Sequence, residues 1–85
     1  MKKKLNYKEF NLKIEKSLKN VFPKAKIPKN FNNLKIGDYK EWDSLGNFNL
    51  LLEIEKTFNI RFKSEELTKI ISVKEIFSYL KKKNI

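Results

Sequence analysis

Apolar residues in this chain recur at three- and four-residue intervals and nowhere alternate for long, which restricts it to helices packed on helices. Tyr7, Phe10, Ile14, Leu18 and Val21 keep that spacing, with lysines, Glu9 and Glu15 between them, and predict a first amphipathic helix over about residues 6–21. Phe22-Pro23 ends it. From there to about residue 42 the chain holds Pro28, Gly37 and Asn30-Phe31-Asn32-Asn33, the composition of a connection rather than a regular element. So long a loop is either functional or pinned by its own apolar residues, for which Ile27, Phe31, Leu34 and Ile36 are the candidates.

Asp43 is a favoured N-cap, and the apolar-rich run Leu45 to Phe58 follows it, predicting a second helix over 44–58 that stops at Asn59, a residue tolerant of the left-handed conformation. A short third helix is expected over 64–70, with Ser64 as its cap and Glu65 and Glu66 in the first turn, where the helix dipole favours anions. Ser72-Val73-Lys74-Glu75 reads as a capping box opening a fourth helix over 73–82. Its Val73, Ile76, Phe77 and Leu80 face the core, and Lys81 to Lys83 sit at the C-terminal end that favours cations. The expected fold is all-α: a small four-helix bundle of three longer helices and one short one, with a long loop between the first two.

At about 100° per residue, Leu50, Leu51, Ile54 and Phe58 share one side of the second helix, the natural core face. Leu45, Phe48 and Leu52 form a second stripe roughly 130° away. A helix needs one apolar face for its core. Either this helix is buried on both sides, or the second stripe is partly exposed and receives partner proteins, with Glu55 along one side and Asn49 and Lys56 along the other. Ser44 lies in the first turn, where unpaired backbone N–H groups and the dipole favour a nearby negative charge.

With 85 residues the chain is expected to be one domain over 1–85. The absence of cysteine excludes disulfides, thiolate metal sites and a protein thiol nucleophile, and the absence of histidine removes the commonest general base. So short a chain encloses little of the ~300–1,000 Å³ that ligand pockets occupy, so an enzyme is not expected. Met1-Lys2-Lys3-Lys4 begins like a signal peptide, but Leu5 to Lys16 interleaves apolar and charged residues, so secretion and membrane spanning are not expected and the cytoplasm is the default. The net charge is +10, unevenly spread. Residues 1–37 carry eleven lysines against Glu9 and Glu15, and residues 67–85 carry five against Glu75. Residues 38–66 are instead acidic at −3.

The segment Glu41-Trp42-Asp43-Ser44-Leu45-Gly46, followed by Leu50 to Ile60, resembles the Asp-Ser-Leu motif and second helix of acyl carrier proteins. The likeness runs on through Phe62, Ser64-Glu65-Glu66, Ile70 and Ser72-Val73-Lys74-Glu75-Ile76, covering about residues 38–80. It implies that Ser44 receives 4′-phosphopantetheine from coenzyme A by a separate, magnesium-dependent phosphopantetheinyl transferase. The arm's thiol would then carry acyl or aminoacyl thioesters, supplied by a loading ligase and passed to downstream transferases. The reactive sulfur would come from the cofactor, in keeping with the missing cysteine. By the same resemblance, Asp43 belongs to the motif the transferase reads, Leu45, Phe48 and Leu52 match apolar docking positions, and Glu55, Glu65 and Glu66 match acidic recognition positions. Fatty-acid carriers are strongly acidic, whereas this chain is basic and has Gly46, Asn49 and Lys56 along the second helix. With Trp42 before the motif, that looks more like a carrier of a specialised pathway, acting as a monomer. Trp42 itself is expected to anchor the loop from within the core.

Two other readings compete. A basic nucleic-acid-binding module would use Lys2 to Lys4, the first-helix lysines and Lys81 to Lys83, but no recognised motif is present and the chain has a single Arg. A degenerate carrier fold would serve only as an interaction subunit. The basic ends also allow weak contact with an anionic membrane surface.

Overall fold

The computed structural model describes residues 7–83, in which four helices follow one another: α1 (Tyr7–Val21), α2 (Ser44–Phe58), α3 (Ser64–Lys69) and α4 (Val73–Lys82). Among the described residues there is no strand, only an isolated antiparallel bridge between Lys35 and Ser72. The architecture is the all-α arrangement that the apolar spacing predicts, three longer helices and one short one. The predicted helical residue 6 and the run Lys2 to Lys4 lie outside the described residues.

Burial follows the helical spacing. Phe10, Ile14 and Leu18 of α1, Leu50, Leu51, Ile54 and Phe58 of α2, and Val73, Ile76 and Leu80 of α4 form one core with Ile70 and Phe62. Each fully buried aliphatic or aromatic side chain of this kind contributes about 1.5–3 kcal/mol of transfer free energy. Helices α1 and α2 run antiparallel: Phe10 meets Phe58 at a centroid distance of 5.3 Å, Asn20 donates to Glu53 at 3.2 Å, and Phe22 stacks on Trp42 just before α2 at 5.3 Å. The buried hydroxyl of Ser17 is satisfied where the helices touch, by the Lys13 carbonyl at 3.0 Å and Thr57 Oγ1 at 3.3 Å.

The long connection is pinned as its apolar residues predict. Phe31 is buried, and Ile27, Leu34 and Ile36 pack against the core. Two backbone hydrogen bonds flank the Lys35–Ser72 bridge, Ile36 N–H to the Ile71 carbonyl at 2.8 Å and Val73 N–H to the Leu34 carbonyl at 3.0 Å. They tie the loop to the start of α4. Gly37, at φ 92°, then makes the turn that lets its N–H reach the Trp42 carbonyl at 2.8 Å.

The caps explain where the helices begin and end. Asp43 accepts the Gly46 N–H at 2.8 Å, and Asn59 closes α2 in the left-handed conformation at φ 54°. Ser72 accepts the Glu75 N–H at 3.2 Å, while Glu75 Oε1 accepts both the Ser72 hydroxyl and the Ile71 N–H, reaching one residue further back than a simple capping box. The third helix departs from expectation at both ends. Its cap is Lys63, not Ser64, because starting at Ser64 puts Glu66 at the third position, where its carboxylate accepts the Lys63 N–H at 2.7 Å. With Ser64 as cap that position would fall to Leu67, which has no acceptor. The helix also stops at Lys69, because Ile70 turns extended and buries its side chain in the core.

Candidate functional site at the start of α2

The chain enters α2 through a loop held rigid by Trp42. Its indole is fully buried in a three-ring cluster with Phe22 and Tyr39, at centroid distances of 5.3 and 6.4 Å, and its Nε1–H donates to Asn47 Oδ1 at 2.9 Å. Asn47, itself buried, turns its Nδ2 to the Ile70 carbonyl at 2.8 Å. One amide therefore ties the loop before α2 to the segment between α3 and α4. Tyr39 is fixed in the same cluster and donates its hydroxyl to the Lys26 carbonyl at 2.8 Å, with burial pushing its phenol pKa upward and the nearby Asp38 charge adding to that.

Gly46 completes the frame. A Cβ at this position would overlap the Glu41 carbonyl oxygen and sit 3.1 Å from Phe22 Cε1. Only glycine lets the incoming loop cross that close to the first turn of α2. On a sequence basis Gly46 looks like an acid replaced on a recognition surface; in the fold it is a buried packing residue.

Between these anchors Asp43 and Ser44 are exposed. The Asp43 carboxylate is occupied as the cap, whereas no described residue hydrogen-bonds the Ser44 hydroxyl. The next residues on the outer side are Leu45, Phe48 and Leu52, which are 68%, 44% and 43% exposed. Of the two alternatives for this stripe, the exposed one holds: it stands open while the opposite face of α2 fills the core.

The acidic candidates are placed differently. Glu55 accepts the Phe62 N–H at 2.7 Å and so fixes the turn after α2. Glu66 caps α3 and pairs with the Lys83 ammonium at 3.4 Å. The Lys63 N–H holds the Glu66 carboxyl below the usual glutamate range, outweighing the upward push of burial, with the Lys83 ammonium adding to the lowering. Glu65 is exposed on the same short helix. Ser44, Leu45, Phe48 and Leu52 thus share one stretch of α2 with its cap Asp43, while Glu65 and Glu66 come from another element.

Sequence reasoning missed Asn47. On the helical wheel it falls in the middle of the core stripe of α2, between the angles of Leu50 and Leu51, and a polar residue at that angle is the signal that would have found it. Among the described residues, no group of three or more metal-ligating side chains is assembled, and no helix is long and apolar enough to cross a membrane.

No family model matches the chain, and no solved structure matches it significantly. Among curated proteins it is similar to an acyl carrier protein of Syntrophus aciditrophicus (strain SB), 42% identical over 43 residues. That alignment takes in 51% of this chain and 54% of the relative, so the chain matches about half the length of that protein. Over that half of its length the chain is similar to an acyl carrier protein.

Proposed function

We propose that the chain is a non-catalytic carrier that bears a 4′-phosphopantetheine arm on Ser44 and passes acyl or aminoacyl thioesters between enzymes of a specialised biosynthetic pathway. The observation that carries this reading is the setting of Ser44: exposed, with a hydroxyl that no described group engages, and flanked by a rigid loop and an open apolar stripe. An attachment serine needs that combination, since its oxygen must reach another protein's active site while the surface beside it is gripped.

The residues fit the group. Asp43 takes up the Gly46 amide, and no described acceptor takes the amides of Ser44 and Leu45, so first-turn donors remain beside the position of a phosphodiester. The arm supplies the thiol that the chain lacks. In the attachment step the Ser44 oxygen would attack the coenzyme A phosphorus nearest the pantetheine, breaking its bond to the nucleotide phosphate, while the serine proton leaves to the transferase. This chain's part is to hold that oxygen outward and to present Leu45, Phe48 and Leu52 for docking.

Partners under this reading are the transferase, a loading ligase and the enzymes that take the cargo, meeting a monomer in the cytoplasm. Asp43, Glu55, Glu65 and Glu66 are the polar recognition candidates, of which Glu65 alone has no structural task seen in the fold beyond its helix. Loading with a fluorescent coenzyme A analogue and a promiscuous transferase tests the reading. Labelling of the wild-type chain but not of Ser44→Ala is expected, and equal labelling of both would refute it.

A further inference from the structure

We infer that the chain has a second docking surface, a groove between α1 and the connection at residues 29–32, that receives an acidic protein segment carrying one large apolar side chain. The groove has a volume of about 500 Å³; Lys8, Leu12 and Glu15 of α1 form one wall, and Lys29 and Asn30 form the other, with Phe31 at its base. Leu12 is 57% exposed and points away from the core that Phe10, Ile14 and Leu18 fill. Leu12 is the exposed apolar side chain in the lining of the groove.

Charge selects the occupant. Residues 7–37 hold eight lysines against Glu9 and Glu15. Around Leu12, Glu15 is already neutralised by Lys19 at 3.4 Å, whereas Lys8, Lys16 and Lys29 are exposed and have no acidic partner among the described residues. An apolar anchor ringed by uncompensated cations matches an acidic segment with a single leucine-like residue, the apolar side chain seating by burial and the carboxylates meeting the lysine rim. A lipid surface is the poorer match, because one leucine offers little apolar area to insert. Nucleic acid is poorer too, since the groove presents neither arginine nor an exposed aromatic ring for stacking.

The groove is remote from Ser44. The N-terminal half of α1 packs through Phe10 on Phe58, at the other end of the 15-residue α2 from Ser44, and a helix of that length spans about 22 Å. The two surfaces share no residue, so a partner held in the groove leaves the start of α2 accessible.

The test is an NMR titration of the isotope-labelled full chain with a short peptide of aspartates and glutamates around one leucine. Shift changes are expected at residues 8–19 and 29–32, with binding weakened several-fold as salt rises from ~50 to ~200 mM. Leu12→Ser, an exposed substitution, is expected to weaken binding about fivefold, and Lys8→Glu with Lys29→Glu more than tenfold, the effects of losing an interface anchor and its charges. No shifts at millimolar peptide, shifts centred on Leu45, Phe48 and Leu52, or tighter binding of phosphatidylglycerol vesicles through the same groove would each overturn the proposal.

Discussion

The Trp42 indole N–H and the Asn47 amide oxygen, both buried and 2.9 Å apart, form the contact that sets the position of the two residues between the loop and the first turn of α2, Asp43 and Ser44. Asn47 uses its remaining donor on the Ile70 carbonyl, so the loop, α2 and the α3–α4 link share one polar joint inside an apolar core. Removing the amide strands a donor and an acceptor at once. Asn47→Leu, close in size, is expected to destabilise the chain by about 2–6 kcal/mol, from two unsatisfied buried groups at ~1–3 kcal/mol each. Urea denaturation followed by Trp42 fluorescence measures this as a lowered midpoint with an unchanged slope.

Gly46→Ala separates propensity from packing. Alanine is the better helix former by about 1 kcal/mol, so an unconstrained site would gain stability. Here the new methyl overlaps the Glu41 carbonyl, and a net loss of about 1–3 kcal/mol is expected from the displaced loop. A rise in thermal midpoint would show that the loop yields freely.

How much of this was legible in the sequence divides along local and non-local lines. Asp43, Asn59 and Ser72 act within a few residues of themselves, so their capping chemistry can be read directly, and the apolar spacing of α1, α2 and α4 gives the faces that the core buries. The closeness of Glu41 to Gly46 and the reach of Asn47 to Ile70 depend on how separate segments pack, which no local pattern encodes. Lys63 as the cap of α3 is an intermediate case. Its position follows from where Glu66 can reach back, a rule that outweighs the preference for Ser64 at the cap. At the site itself, Ser44 and the stripe are visible as a pattern, but only the fold decides between burial and exposure of Leu45, Phe48 and Leu52.

The Glu66 carboxyl gives the α3 cap a pH signature. Its folded pKa lies below the unfolded value, so its contribution to stability is present in full above the unfolded value and is lost as pH falls through the folded one. The loss therefore sets in below pH ~4.3, the ordinary glutamate value. Hydrogen-exchange protection factors of the α3 amides, corrected for the intrinsic pH dependence of exchange, are expected to fall in that acidic window in the wild-type chain, whereas in Glu66→Gln, which keeps an acceptor but cannot titrate, they stay unchanged across it. The pair with Lys83 is partly buried at the surface and 3.4 Å long, and the change in global stability is expected to be about 1 kcal/mol or less.

Phe48 and Leu52 separate docking from folding. Both stand partly open, so Phe48→Ala and Leu52→Ala are each expected to cost less than about 1 kcal/mol of stability. If they anchor partners, each lowers the transferase's kcat/KM by about fivefold or more, the effect of truncating a contributing interface residue. Unchanged kcat/KM in both variants would remove the stripe from the account.

Attachment at Ser44 is the claim on which the carrier reading stands, and intact-protein mass measurement tests it most directly. The full chain is incubated with coenzyme A, Mg²⁺ and a promiscuous phosphopantetheinyl transferase, beside Ser44→Ala. The account predicts a gain of one phosphopantetheine mass in the wild-type chain and none in the variant. No gain with any of several transferases, or an equal gain in both proteins, would contradict it.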